Sequence, residues 1–293
     1  MRPVTPDDVV AINALVVAAD EAVQGWSDSS EADLTDWWRL VDLEHESWLV
    51  ENDGPAAYAV AFPRADRVDI DGYVHPGKKG LGLGSWLVSQ AEGRACERGA
   101  PSALAWCLAV DADAHALFER LGYRETRRFY RMLIEFDGPP PVAEPPSGLR
   151  IETFRPEDAA AFHSALTEAF EGEWSFVALP FEEWVEHRVK APDFDPGLWF
   201  VGRDGDEIAA VLRGDAERGG GGWVGAIGVR EPWRKRGLGL ALLTHAFGEF
   251  YRRGQPRVAL GVDADNPTGA TRLYQRAGMH VASEAVAFEK GLE

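Results

Sequence analysis

"VREPWRKRGLGLALL" occupies residues 229 to 243. An apolar run leads into it, Pro232 marks a turn, and three cations follow at Arg234, Lys235 and Arg236. Gly237-Leu238-Gly239 then opens a segment with the apolar spacing of a helix. The first N–H groups of a helix have no intrahelical acceptor, and the helix dipole makes that end positive. Glycines let backbone approach a phosphate closely, and Arg234 and Arg236 can add charge-assisted hydrogen bonds. The stretch reads as an anion cradle between a strand and a helix.

It has an echo. At an offset of 155 residues Val74 falls on Val229, Gly82-Leu83-Gly84 on Gly237-Leu238-Gly239, and Leu87 on Leu242. The register continues through Ala91 and Ala246, Gly93 and Gly248, Arg98-Gly99 and Arg253-Gly254, and Pro101 and Pro256. "VDAD" then recurs at 110–113 and 262–265. Agreement so ordered points to a duplicated domain. "DGPPPVAEPPSG", residues 137–148, separates the copies with five prolines, which favour an extended spacer. The expected division is 1–136, a linker at 137–148, and 149–293.

Composition bounds the possibilities. The chain has 293 residues, 45% hydrophobic and 27% charged, which suits a soluble globular protein of two ordinary domains. A net charge of −18 repels phosphate backbones and argues against nucleic acid as a partner. It is equally a solvated surface without functional meaning. Cys96 and Cys107 form no CxxC, and the histidines are scattered, so neither a disulfide framework nor a metal site is expected. Asp7 and Asp8 interrupt the N-terminal apolar residues, no run suits a membrane span, and a cytoplasmic protein without a membrane partner is expected.

The second half reads β-α-α-β-β-β-α-β-α-β, with a hairpin turning at Asp204-Gly205. The first half repeats this order with a weaker opening strand. Other phosphate loops fail: neither copy has GxxxxGK[ST], and the place of the third Rossmann glycine holds Leu242 or Leu87. Ser85 sits in GxGS and not in a GxSxG elbow.

What remains is a strand valine, a proline, and R-x-x-G-x-G ahead of a helix. This resembles the GNAT superfamily of N-acetyltransferases. "VDADNPTGATRLYQRAGM", residues 262–279, strengthens the resemblance with Asn266, Ala270, Leu273-Tyr274 and Gly278-Met279 in the family's order. The resemblance covers both halves apart from the linker. It implies an α/β (α+β) chain of two tandem domains, each a mixed, mostly antiparallel central sheet flanked by helices. It implies acetyl-coenzyme A as co-substrate, a small-molecule amine as acceptor, and no metal.

The same resemblance implies roles for residues. Ile227, Val229, Arg234, Lys235, Arg236, Gly237, Leu238 and Gly239 would bind the coenzyme, with a backbone N–H near Val229 stabilising the oxyanion. Asn266 would hold the pantetheine arm or order a water, and Tyr274 would protonate the departing thiolate. By packing alone Tyr274 could equally be a core aromatic. The amine needs a base, and "GGWVGAIGV" offers no carboxylate. Glu171, Glu173, Asp215 and Glu284 are candidates, a water chain is an alternative, and the role is open.

In the first half Val74, Lys79, Gly82 and Gly84 would form a weaker coenzyme loop, because Leu81 stands where Arg236 does. Phe118 replaces Tyr274, and the Asn266–Gly269 segment has no counterpart. Asp69 and Asp71 on the preceding strand could contact an amine or be structural. A degenerate first copy beside a catalytic second is therefore expected. The reading from another class is a non-catalytic acyl-coenzyme A sensor, and a cysteinyl amine is an alternative acceptor. Trp174, Phe176, Phe181 and Trp184 would line the acceptor pocket or pack in the core.

Overall fold

The computed structural model describes all residues except Ser175, Pro267 and Glu293. Pro267 of the second motif, Ser175 of the loop after residue 170, and the last residue of the expected second domain thus lie outside the described residues. In chain order the first part comprises α1 (Val9–Gln24), α2 (Glu31–Trp38), α3 (Leu43–Glu46), β1 (Ser47–Glu51), β2 (Pro55–Pro63) and β3 (Val68–Val74). It continues with α4 (Leu83–Glu97), β4 (Ser102–Leu108), α5 (Ala112–Arg120) and β5 (Arg124–Glu135). Then come β6 (Leu149–Thr153), α6 (Ala159–Phe170), α7 (Phe181–Trp184), β7 (Trp199–Asp204), β8 (Glu207–Arg218) and β9 (Gly221–Val229). The chain ends with α8 (Leu238–Arg252), β10 (Arg257–Asp263), α9 (Ala270–Arg276) and β11 (His280–Gly291).

The chain forms two compact units, Met1–Phe129 with Ser283–Glu293, and Tyr130–Ala282. In the first, the strands run β1-β2-β3-β4-β11. All neighbours are antiparallel except β3 and β4. In the second, β6-β7-β8-β9 are antiparallel, β9 and β10 are parallel, and β5 follows β10. These are the mixed, mostly antiparallel sheets flanked by helices that the sequence implies.

The second unit's core follows from the pattern of α8. Leu238, Leu242, Leu243, Ala246, Phe247 and Phe250 recur at helical spacing and are all buried. They pack against Leu212, Val258 and Leu260. The opposite face of the sheet is covered by Phe162 of α6 and Trp184 of α7 against Trp199, Val201 and Val211. Trp184 stacks on Phe162 at 6.0 Å and Phe181 on Trp184 at 6.2 Å. Trp184 is therefore core, and Phe176 packs on Phe170 at 5.5 Å.

Three local features differ from the sequence pattern. The opening strand of the first half shrinks to one bridge, Arg2 with Leu49, because the next ladder donor, Val4 N–H, goes to Ser47 Oγ at 2.8 Å. The helix expected over 180–190 is one α-turn followed by a π-helical turn at Val185–Val189. The proline-rich stretch is docked and not free: Ala143 N–H donates to Thr244 Oγ1 on α8 at 3.0 Å.

The last strand serves the first unit. β11 pairs with β4 from Ala285 opposite Leu108 to Gly291 opposite Ser102. It places Val286 and Phe288 among Val88, Ala91, Ala105 and Phe118. Conversely, the end of β5 belongs to the second unit, where Met132 is fully buried in the core. Phe288→Ala should therefore destabilise the first unit by about 3–5 kcal/mol. Urea unfolding followed by tryptophan fluorescence reads this directly; an unchanged midpoint would show that β11 contributes nothing to that core.

Candidate functional site

In the second unit β9 is zipped to β8 but leaves β10. Registered pairing between β9 and β10 among the described residues is confined to Gly222 with Val258 and Trp223 with Ala259. β9 continues to Val229 and β10 to Asp263, so the two strands part towards their C-terminal ends. On the other edge Arg230 N–H donates to Ala209 at 3.0 Å, while Val229 stands opposite Ala210 and Ile227 opposite Leu212. In an antiparallel ladder hydrogen-bonded and non-bonded pairs alternate. Ile227 and Val229 therefore turn their N–H groups away from β8, into the gap that β10 vacates. An oxygen bound there would meet preorganised donors.

The cradle begins where β9 ends. The Val229 carbonyl accepts from Arg234 Nε at 2.9 Å, and Arg234 Nη2 donates to the Ala169 carbonyl at 3.2 Å. Arg234 thus clamps the loop to β9 and α6, and what it can offer an anion is its backbone. Lys235 and Arg236 are exposed and form no ion pair among the described residues. Lys235 takes φ 59° and Gly237 φ 95°, the left-handed region, which turns successive amides at the start of α8 towards one point. Gly239 is there for contact: a Cβ would stand 3.3 Å from Leu273 of α9 and 3.4 Å from Val229.

The sequence pattern gave no sign of two further anchors. Trp233 is buried, with Nε1 donating to Asp204 at 2.9 Å and the Arg230 guanidinium 5.1 Å from its ring. Arg230 in turn donates to Glu168 on α6 at 2.7 Å. A tryptophan and an arginine beside a turn are too common to be recognised without knowing what they meet.

Asn266 and Glu173 meet in this unit, and Tyr274 feels the charge of Glu173. Asn266 Nδ2 donates to Glu173 Oε2 at 2.9 Å, and its Oδ1 accepts from Thr268 N–H at 2.9 Å. Tyr274 on α9 is buried, and burial pushes its phenol well above the usual value; the Glu173 carboxylate adds to the rise. Tyr274 also packs in the apolar core, so its ring is structural whatever its hydroxyl does. Of the other carboxylates considered for the base, Glu171 is exposed, and Glu284 lies in the first unit, accepting from Arg128 at 2.8 Å. Asp215 lies on β8, and its Oδ2 is buried.

The first unit repeats the frame with different chemistry. β3 and β4 pair from Val68 with Ala103 to Ile70 with Ala105 and then part. His75 N–H donates to Ala56, which turns the Val74 and Gly72 N–H groups into the gap by the same alternation. Gly80 and Gly82 adopt φ 79° and 80°, where the second loop has Lys235 and Gly237. A Cβ on Gly84 would stand 3.0 Å from Leu117 of α5. Lys79 is held by Asp113 at 3.0 Å. Phe118, in the place of Tyr274, packs on Tyr123 and Phe288 at 5.7 and 5.4 Å. Asp69 accepts from Arg64 and Arg67, whereas burial, with Asp20 nearby, pushes the Asp71 carboxyl up to about 7.

Among the described residues no group of three His, Cys, Asp or Glu side chains is placed to hold a metal. Nor is any helix of these residues long and apolar enough to cross a membrane. His163 bonds the Leu179 carbonyl and lies against Trp184, and His245 packs on Phe200.

The profile of the Acetyltransferase (GNAT) family matches residues 12–123 and again 159–279. A mycothiol acetyltransferase of Thermobispora bispora is 30% identical over 94% of this chain and 93% of its own. One of Streptomyces scabiei is 32% identical over 81% and 73%. A GCN5-related N-acetyltransferase from Sphaerobacter thermophilus superposes with a TM-score of 0.89 at 38% identity, covering 100% of this chain and 95% of the other. A tandem GNAT protein of the clavulanic acid biosynthesis pathway shares the fold at TM-score 0.76 and 17% identity, over 100% and 98%.

Asp71 offers a test of the first unit's cleft. Its proton is held more tightly in the folded state than in the unfolded chain. Its contribution to stability is therefore complete below the unfolded value near 3.8 and is lost as pH rises to about 7. Asp71→Asn should raise the melting temperature at pH 8 and leave it nearly unchanged at pH 3.5. Equal shifts at both pH values would contradict a buried, proton-holding Asp71.

Proposed function

Because this chain belongs to the GNAT family of acetyltransferases, we propose that its second half transfers the acetyl group of acetyl-coenzyme A to a primary amine of a small molecule by direct attack. The family is one of N-acetyltransferases, and acetyl-coenzyme A is its co-substrate. The observation that carries the assignment to the second half is the Asn266–Glu173 hydrogen bond, with the Glu173 charge acting on Tyr274, in the unit where β9 and β10 part. The first half has the parted strands and the glycine loop but a phenylalanine at the corresponding helix position, and we read it as a non-catalytic copy of the domain.

Each residue has a physical task. The amides of Ile227 and Val229 would receive the oxygen that becomes an oxyanion when the amine attacks the thioester carbon. The loop from Arg234 to Gly239 would hold the pyrophosphate with backbone amides and the free charges of Lys235 and Arg236. Val74, Lys79, Gly82 and Gly84 would hold it more weakly in the first half, where Gly80 and Leu81 stand in place of Lys235 and Arg236 and Lys79 is tied to Asp113. The attacking amine must lose a proton, and Glu173 is the carboxylate best placed to take it. Asn266 fixes that carboxylate by donating to it.

Tyr274 is the proposed acid. Its raised pKa guarantees a proton at every working pH but makes donation to a thiolate, of pKa about 8.5, uphill. Part of that rise comes from the negative charge of Glu173. When Glu173 takes the amine's proton, that charge disappears and the phenol releases its own more easily. The two proton transfers therefore assist each other.

The acceptor is proposed from the relatives. Those named mycothiol acetyltransferase match the chain over most of its length. A cysteinyl amine is accordingly the first acceptor to assay, ahead of other small amines.

Tyr274→Phe should lower kcat by about 10²- to 10⁴-fold while leaving acetyl-coenzyme A affinity and the melting temperature nearly unchanged. Glu173→Gln should lower kcat/KM. Thiol release with cysteinyl and simple amines measures both. A Tyr274→Phe enzyme as fast as the parent would leave the tyrosine a purely structural role.

A further inference from the structure

β8 carries two half-buried charged side chains where its apolar run ends, Arg213 and Asp215. A Cβ on the residue between them, Gly214, would meet Phe250 of α8 at 2.8 Å. Strand alternation therefore sends Arg213 and Asp215 to the opposite face, the one packed by α6. Arg213 stands opposite Ala226, one step from Ile227, at a bulge where β9 has an extra residue, Gly225. Its guanidinium occupies the space that a side chain on Gly225 would need.

One of the two groups lacks a partner, and the other stands beside it with donors to give. Asp215 Oδ2 is buried with no hydrogen-bond donor among the described residues. The half-buried guanidinium of Arg213 has charged neighbours in Asp215, Asp193, Arg188 and Arg218. Burial lowers its pKa to about 10. Unsatisfied buried polar groups are costly and are retained where a ligand completes them. Here one group needs a donor and its neighbour carries donors; Arg213 lies beside Ile227, and Asp215 follows on the same face of β8, opposite Trp223.

The pairing of charges narrows what fits. A carboxylate would be drawn to Arg213 and repelled by Asp215. An ammonium would be drawn to Asp215 and repelled by Arg213, Arg188 and Arg218. A neutral group that both accepts and donates satisfies the two together. We propose that Arg213 and Asp215 form the acceptor-specificity subsite of the second half, binding a neutral donor–acceptor group carried by the amine substrate. Adjacent hydroxyls and a carboxamide share that chemistry. The inference rests on acetyl transfer by the second half.

The test compares amines by thiol release with the full-length protein: glucosamine for hydroxyls, glycinamide for the carboxamide, cyclohexylamine for neither, glycine for a carboxylate and putrescine for a second ammonium. Asp215→Asn and Arg213→Met should each raise KM for glucosamine or glycinamide by at least tenfold more than for cyclohexylamine. Which of the two responds identifies the neutral group. Gly225→Ala, which displaces the guanidinium, should shift selectivity the same way. Asp215→Asn should melt no lower than the parent, because the carboxylate it replaces is unsatisfied in the free protein.

Equal losses across all amines, or glycine or putrescine as the amine most affected, would overturn the subsite. So would a lower melting temperature with selectivity unchanged. If the parent transfers to none of these amines, saturation-transfer NMR with coenzyme A present decides. Glucosamine or glycinamide binding that Asp215→Asn abolishes would uphold the subsite while the proposed reaction fails. Absence of binding would overturn both.

Discussion

The arrangement of the second unit depends on one property of β9: it is bonded along one edge and released along the other. Pairing with β8 continues to Val229 opposite Ala210, while registered pairing with β10 is confined to Trp223 and the residue before it. Ile227 and Val229 thus leave the N–H groups that point away from β8 without a registered partner on β10. Gly239 then lets α8 lie close against the end of β9 and against α9, so helix, strand and the Tyr274-bearing helix are set by one close contact.

Arg234 shows how a motif residue can act through the fold. From sequence it is a cation before a glycine pair and reads as a phosphate ligand. In the folded chain its guanidinium is spent on the Val229 and Ala169 carbonyls. A carbonyl at a strand end and another at a helix end both need donors, and a fork of fixed geometry reaches the two at once. The loop is held open from behind, leaving the exposed charge to Lys235 and Arg236. Lysine at φ 59° is a strained choice where the first copy has Gly80. That strain is understandable if the positive charge matters more there than an easy backbone.

Most of the fold was legible because it rests on local patterns. β9 runs over the nine residues read as a strand, and α8 follows the apolar spacing after Gly237. The duplication was legible because the loop and its helix keep register without a gap. What escaped is what depends on partners distant in sequence. Alternation in "MHVASEAVAFEK" specifies a strand and its faces, but nothing in it says that β4 is the neighbour. Glu173 was one carboxylate among several candidates until Asn266, from a different loop, was found bonded to it. Arg213 carries no signal in the sequence, because a charge at the end of an apolar run is unremarkable until the buried, unpartnered Asp215 Oδ2 is seen beside it.

The two units together argue that the frame outlasts the chemistry. Each has parted strands, outward-turned amides and a left-handed glycine at the helix start. These features are enforced by packing: Gly84 against Leu117 and Gly239 against Leu273 are the same contact made twice. Polar residues have no such protection. In the first unit Lys79 is tied to Asp113, and Phe118 fills its core position without a hydroxyl. A phenylalanine there loses nothing in apolar burial, so packing alone cannot preserve a tyrosine. The hydroxyl of Tyr274, beside a carboxylate that disfavours its ionisation, is then a feature that stability does not account for. The proposed reaction supplies a reason for that hydroxyl which packing does not.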